Sequence, residues 1–404
     1  MFRKFFLIIL IIGFNKAVFA MDSGDDKLTN RIPFLINSIQ KKLTGTVEAF
    51  GDHLVYPRYV SESNQWITQP IRSWTSGFFP GILWYTAELT KEKSFESSAK
   101  KWTEGLNLIQ YYPGSHDIGF MIFCSYGNGY RITKNEDYKK VILQTAKTLI
   151  TRFDQNVGCI RSWDHNTEKW EYPVIIDNMM NLELLFWASQ NGGDKKFFDI
   201  AYKHAEKTMI NHFRPDGSTF HVVNYDTLNG KVISRNTHQG FADESCWARG
   251  QAWAIYGFTM AFRFTKDARF LSTAQKAANY FLKHLPEDFI PYWDFNAPNI
   301  PNEPRDASAA AVASSALFEL SQYGSDDKLK SEYYKNAVAI LNSLSSPSYF
   351  LNESSLGIIG HSVGNKPSKS EVDVPIIYGD YYYLEALLKY RDYNFNNSKL
   401  GKSE

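Results

Sequence analysis

Three cysteines in 404 residues, Cys124, Cys159 and Cys246, are too few for a disulfide framework, so buried free thiols are expected. Net charge is almost absent as well: 44 Lys and Arg stand against 43 Asp and Glu, leaving +1. No broad basic field exists, which argues against nucleic acid as a partner. No stretch after residue 20 is apolar for long enough to span a membrane. No HExxH, CxxC or EF-hand pattern occurs, so no metal and no cofactor is implied. No Pro/Gly/Ser-rich linker divides the chain, and no fixed repeat period marks a stacked solenoid.

Two motifs look catalytic and fail on context. Residues 360–364, GHSVG, match G-x-S-x-G, but NKPSKS follows where a nucleophile elbow needs a helix, and no histidine lies downstream of His361. Residues 126–133, YGNGYRIT, carry two spaced glycines but lack the third and a preceding strand, so they form no dinucleotide loop.

Aromatic residues are abundant, with 10 Trp, 24 Tyr and 29 Phe. Many serve a core; sugar clefts also use flat rings against apolar sugar faces. The first twenty residues read as a secretory signal peptide. Arg3 and Lys4 open it, Phe5 to Phe14 form the apolar run, and Val18-Phe19-Ala20 supply a small-residue cleavage site. No cysteine follows that site, so no lipid anchor is expected. The mature chain is expected to be exported, to the periplasm before the medium. Residues 21–392 read as one catalytic domain, and the polar segment 393–404 as a disordered tail.

Helical periodicity predicts about twelve helices. They fall near Leu28–Leu43, Pro80–Leu89, Lys93–Leu108, Gly119–Arg131, Glu136–Arg152, Met179–Gln190, Lys195–His212, Trp247–Phe264, Ala268–Leu285, Ala307–Gln322, Lys328–Leu344 and Tyr381–Tyr390. Charged amphipathic segments such as KKVILQTAKTLITR alternate with segments apolar on nearly every side, such as NLELLFWAS and AAAVASSALFEL. An all-round apolar helix is buried and an amphipathic one faces water. The alternation predicts an all-α fold in which six inner helices are wrapped by six outer ones, an (α/α)6 barrel. Strand signals are local. Ser218–Val223 and Lys231–Ser234 flank the Asn229-Gly230 turn pair, and Cys159–Trp163 with Trp170–Ile176 suggest a second hairpin at the cavity rim.

Carboxylates stand at two inner-helix mouths: Asp117 in HDIGF and Asp177 in PVIIDNMMN. Apolar neighbours desolvate Asp177 and raise its pKa towards the range useful for proton transfer. Each Asp also suits a plain helix N-cap. Arg249, one turn into a third helix mouth, can grip a carboxylate in bidentate fashion, or bridge to Asp243 or Glu244. His221 sits within an apolar strand, as a hydrogen-bond donor to substrate or a satisfied core residue. Trp74, Trp163, Trp187 and Trp253 suit ring stacking, or plain core packing.

The ordered segments SWTSGFFPGILWYTAELT (73–90), HDIGF (116–120), IIDNMMNLELLFWAS (175–189), HQGFADESCWARGQAWAIYGF (238–258), RDASAAAVASSALFEL (305–320) and IYGDYYYLEALL (377–388) resemble the unsaturated glucuronyl hydrolases, glycoside hydrolase family 88. The resemblance implies an (α/α)6 barrel. It implies Asp177 as general acid and base, with Asp117 assisting. It places His116, Trp74, Trp163, Trp187, His221, Gln239, Trp247, Arg249 and Trp253 in the substrate cavity. The implied partner is an oligosaccharide ending in a 4,5-unsaturated uronic acid, from glycosaminoglycan or ulvan. An unsaturated rhamnogalacturonyl hydrolase shares barrel and reaction. A sugar epimerase on the same barrel would lean on paired histidines, whereas the helix mouths here carry Asp. A two-lobed sugar-binding protein would need the βαβ alternation that this chain lacks.

Overall fold

A computed structural model describes residues 22–400, with side chains over 28–394. The expected signal peptide lies outside the described residues. The helices are α1 (Asp22–Phe50), α2 (Phe78–Thr90), α3 (Lys93–Glu104), α4 (Ile118–Ile122), α5 (Asn128–Thr133), α6 (Glu136–Leu149), α7 (Asn178–Gln190), α8 (Lys196–Asn211), α9 (Ala248–Thr265), α10 (Ala268–Lys283), α11 (Ala307–Leu320), α12 (Asp327–Leu344) and α13 (Ile377–Leu400).

The inner ring runs α2, α4–α5, α7, α9, α11, α13 and closes from α13 back onto α2. Outer helices pack on their inner partners as α2–α3, α7–α8, α9–α10 and α11–α12. The reason is legible in the residues. In α11, every residue from Ala307 to Phe318 is buried, and nine of those twelve are Ala or Ser, which lets α9 and α13 approach closely. In α10, buried Phe270, Ala274, Ala277 and Phe281 make one face, with Lys and Arg on the other. This is the (α/α)6 barrel that the alternation predicts.

Three features differ from the sequence reading. The helix expected over Gly119–Arg131 is broken by a π-helical turn, Phe123–Gly127, between α4 and α5. The stretch expected to go slack after Asp392 continues α13 to Leu400. Tyr393 holds it by stacking on Tyr334 at 4.1 Å, and the Tyr334 hydroxyl donates to Asn394. The hairpin expected between Cys159–Trp163 and Trp170–Ile176 does not form as such. Strands β1 (Tyr56–Val60) and β2 (Trp66–Gln69) pair with each other, and β3 (Phe153–Asp154) pairs with β4 (Cys159–Ile160). Then β5 (Pro173–Ile175) pairs with β6 (Val222–Tyr225), which pairs with β7 (Val232–Asn236). The β6–β7 hairpin is the one the Asn229-Gly230 turn predicts, with Gly230 at φ +66°. Finally, β8 (Ser362–Asn365) and β9 (Ser370–Val374) form a hairpin where the sequence is weakly patterned.

All three cysteines are buried and unbridged. Among the described residues, no helix is long and apolar enough to cross a membrane.

Candidate active site

Four outer or late helices begin on an acid or amide that caps them. Asn135, Asp267, Asp306 and Asp326 each accept a backbone N–H from the first turn of α6, α10, α11 and α12. Asp117 and Asp177 occupy the same position before α4 and α7, yet neither side chain makes a cap bond. The plain N-cap reading therefore fails for these two, and their carboxylates are left for other work.

Strand register brings Asp177 to its neighbours. Ile175 pairs with Val222, and Ile176 N–H donates to the His221 carbonyl. Asp177 and His221 thus leave adjacent strands side by side, with His221 Nε2 3.7 Å from Asp177 Oδ2. Asp177 Oδ2 is buried without a hydrogen-bond partner, while the side chain as a whole keeps 14% exposure. Burial pushes the Asp177 carboxyl up to about 7. The nearby Arg249 cation opposes that rise and the Asp117 charge adds to it. Burial is thus the larger cause and like-charge repulsion the smaller.

His221 is buried and its pKa is held well below the usual imidazole range by desolvation, then by the charges of His238 and Arg249. Its Nδ1 accepts from the backbone N–H groups of His238 and Gln239, both at 3.2 Å. The ring proton therefore sits on Nε2, facing Asp177. The His221 ring lies 4.5 Å from the Trp247 ring.

Asp117, 20% exposed at its side chain, accepts from Ser115 Oγ at 3.2 Å and lies 3.2 Å from His116 Nε2. His116 is 1% exposed and packs against Asp117. Asn181 Nδ2, one turn beyond Asp177 on α7, lies 3.4 Å from Asp117 Oδ1. The aromatic wall is continuous. Trp74 packs on Tyr378 at 4.9 Å and Phe120 at 5.6 Å, and Phe120 meets Trp253 at 5.4 Å. The indole N–H groups of Trp163, Trp247 and Trp253 are buried without partners. Trp163 stands at the rim, stacked on His165 and 5.5 Å from His238.

Two sequence readings need correction. Arg249 is 0% exposed: Nη1 donates to Asp306 at 2.9 Å and to the Val363 carbonyl, Nη2 donates to the Gly364 carbonyl at 2.7 Å, and Nε is buried without a partner. Its guanidinium lies over the rings of Trp247 and Tyr378. It bridges neither Asp243 nor Glu244. Its contribution is a fixed positive charge and an anchor for the β8–β9 hairpin. Gln239 serves the same hairpin, donating from Nε2 to the Gly364 carbonyl at 2.9 Å. Trp187 is the second correction. It sits ten residues past Asp177, about 15 Å further along α7 at 1.5 Å per residue. There it lines a cavity of about 600 Å³ at the far end of the barrel, with Tyr130, Glu183 and Arg263. Helix geometry forbids it from joining Asp177.

Sequence reasoning missed Asn181, Tyr378 and His238. The i+4 spacing from Asp177 to Asn181 was the available signal for the first. The other two are brought in by tertiary packing alone.

The arrangement is therefore one buried carboxyl, its pKa raised by burial to about 7, beside a second carboxylate, ringed by indoles, at the N-terminal ends of α4, α7, α9 and α11. Those helix ends carry partial positive charge that favours an anionic ligand. Among the described residues, no cluster of His, Cys, Asp and Glu is arranged to hold a metal.

A family description, Glycosyl Hydrolase Family 88, matches residues 40–395. The chain is 48% identical over 338 residues to an unsaturated glucuronyl hydrolase of Formosa agariphila, covering 82% of this chain and 84% of the relative. It is 33% identical to an unsaturated chondroitin disaccharide hydrolase of Streptococcus pneumoniae, covering 89% and 92%. Among solved structures, it is similar to an unsaturated glucuronyl hydrolase specific for heparin, with a TM-score of 0.86, 45% identity and coverage of 90% and 98%. It is also similar to the glycosaminoglycan-degrading unsaturated glucuronyl hydrolase of Bacillus sp. GL1, with a TM-score of 0.84, 32% identity and coverage of 88% and 95%. The chain is a glycoside hydrolase and belongs to family 88.

Proposed function

We propose that this enzyme removes the terminal 4,5-unsaturated uronic acid from lyase-generated oligosaccharides, with Asp177 as the acid and base. The observation that carries the reading is the Asp177 carboxyl itself: free of any cap bond, and pushed by burial up to about 7. An acid with that pKa is about half protonated in neutral solution, so it can both give up a proton and take one back.

The C4=C5 bond of the substrate is an enol ether. Asp177 donates its proton to C4, and positive charge develops at C5 and the ring oxygen. Asp177, now a carboxylate, takes a proton from water as the water oxygen bonds to C5. The product is a hemiketal at C5. It opens to a ketone and releases the rest of the chain. Asp177 ends protonated, as it began. This is hydration of a double bond, so the carboxylate spacing that governs displacement at an anomeric carbon does not apply. Asp117 lies close enough to hold a substrate hydroxyl, and the helix N-termini favour the uronate charge.

The substrate class we favour is glycosaminoglycan fragments. A relative is named for chondroitin disaccharide, and a solved relative 32% identical to this chain is described in complex with dGlcA-GalNAc6S. The N-terminal pattern Arg3-Lys4, apolar run and Val18-Phe19-Ala20 supports export to the periplasm, where small oligosaccharides accumulate. The deciding experiment follows loss of ultraviolet absorbance from the conjugated double bond over a panel of unsaturated disaccharides from chondroitin, heparin and ulvan. Turnover of a glycosaminoglycan disaccharide supports the reading; absence of turnover across the panel ends it.

A further inference from the structure

We propose that Asn181 is a positioning residue that fixes which ring nitrogen of His116 carries its proton, and thereby aims Asp117. The inference rests on the reading of Asp177 and Asp117 as the reacting pair.

Asn181 is buried on α7, one turn beyond Asp177. Its amide orientation is not free. Oδ1 accepts the Phe120 backbone N–H at 2.8 Å, so the opposite side of the amide must be the NH2. That NH2 lies 3.4 Å from His116 Nδ1 and 3.4 Å from Asp117 Oδ1. A donor facing Nδ1 requires Nδ1 to be the unprotonated nitrogen. The proton is then on Nε2, which lies 3.2 Å from Asp117 Oδ1. Desolvation holds the His116 pKa below its usual value, so the ring is neutral and carries one N–H. Three donors then converge on Asp117: His116 Nε2, Asn181 Nδ2 and Ser115 Oγ.

The fit is tight. A Cβ on Gly119 would stand 2.4 Å from Asn181 Oδ1 and 2.7 Å from its Cα, so glycine is required where α4 crosses α7. The ring proton also has a competitor for its direction. The Asn178 side chain borders the His116 ring and offers it a second acceptor. Removing the Asn181 donor removes the group that decides between the two.

The test combines ¹⁵N NMR of the full chain labelled at histidine with steady-state kinetics. His116 signals are assigned by their loss in His116→Gln. Wild type is expected to show a neutral ring with the proton on Nε2. A wild-type spectrum with the proton on Nδ1 overturns the proposal without any Asn181 variant. Asn181→Asp keeps an acceptor for Phe120 N–H and deletes the donor; Asn181→Ala deletes both. Each is expected to lose the single Nε2–H form, to lower kcat by about 10–100-fold and to leave KM within about threefold. Each should also move the high-pH limb of kcat. The charged or titratable groups facing the pair are Asp117 and His116 from the segment before α4, His204 from α8, Arg249 from α9, His221 from the segment before β6, and Arg152. An unchanged tautomer with an unchanged pH profile in Asn181→Asp sinks the proposal. Failure of wild type to consume any unsaturated disaccharide sinks the functional reading instead, and the tautomer result stands apart from it.

Discussion

His221 Nε2 lies 3.7 Å from Asp177 Oδ2, and the imidazole arrives with its proton on that nitrogen. The distance is beyond a hydrogen bond. Asp177 therefore keeps a buried, unpartnered oxygen, with a neutral donor held just out of reach. A polar group buried in that state is held ready for a ligand at a cost to stability.

Asp177→Asn removes the exchangeable proton while preserving shape. Turnover is expected to fall by at least about 10³-fold, since in the proposed mechanism one residue supplies both acid and base. Substrate affinity should change by only a few-fold, because hydroxyl and ring contacts remain. Loss of ultraviolet absorbance measures the first and equilibrium titration with an unsaturated disaccharide the second. A variant keeping a tenth of wild-type turnover would remove Asp177 from its role.

The same residue fixes a pH dependence. In the proposed mechanism the reacting form of Asp177 is protonated, so kcat should fall as pH rises past about 7. The effect on folding has a defined sign. In the unfolded chain this carboxyl releases its proton near 4, whereas in the fold it holds the proton to about 7. Between those values the native state binds more protons, so stability drops as pH rises. Asp177→Asn should therefore be more stable than wild type at pH 8, by on the order of 1–4 kcal/mol, and match it near pH 4. Thermal melts at the two pH values measure the difference.

Arg249 and Asp306 form a buried ion pair at 2.9 Å, with both side chains at or below 1% exposure. Breaking such a pair leaves one charge stranded, at a cost of about 3–5 kcal/mol. Asp306→Asn should destabilise the fold by that order. It should also loosen the β8–β9 hairpin, because Arg249 reaches Val363 and Gly364 from the same guanidinium. Hydrogen exchange should lose protection across 362–374 before the inner helices respond.

What the chain revealed before folding, and what it hid, follows the range of the forces involved. Barrel class was legible because burial imprints itself on helix periodicity, as α11 and α10 show from opposite sides. Asp177 and Asp117 were legible as helix-mouth acids, yet nothing local separated them from Asp267 or Asp306, which do cap. That distinction depends on what lies across the cavity. The local bridge from Arg249 to Asp243 or Glu244 misled for the same reason: the arginine's partners Asp306, Val363 and Gly364 are 57 to 115 residues away. Trp187 misled because a resemblance carries over a residue without its depth along the helix. Asn181 escaped notice although its spacing from Asp177 is local, because its meaning lies in Phe120 and His116 on another element.

The two tryptophans on opposite ends of the barrel offer a direct check on where substrate sits. Trp163 is half-buried at the rim, near His165 and His238, and its indole N–H has no partner. It can present a face to the sugar beyond the cleaved bond. Trp187 is also half-buried, but packs edge-on against Phe123 and Tyr130 in the far cavity. Stacking beyond plain burial is worth about 0.5–1.5 kcal/mol. Trp163→Ala should thus raise KM by about 2–10-fold with kcat near wild type. Trp187→Ala should leave both constants unchanged while lowering the melting temperature, since it removes packing and touches no substrate. If Trp187→Ala raises KM as much as Trp163→Ala, substrate reaches through the barrel axis and the site is not confined to the helix N-termini.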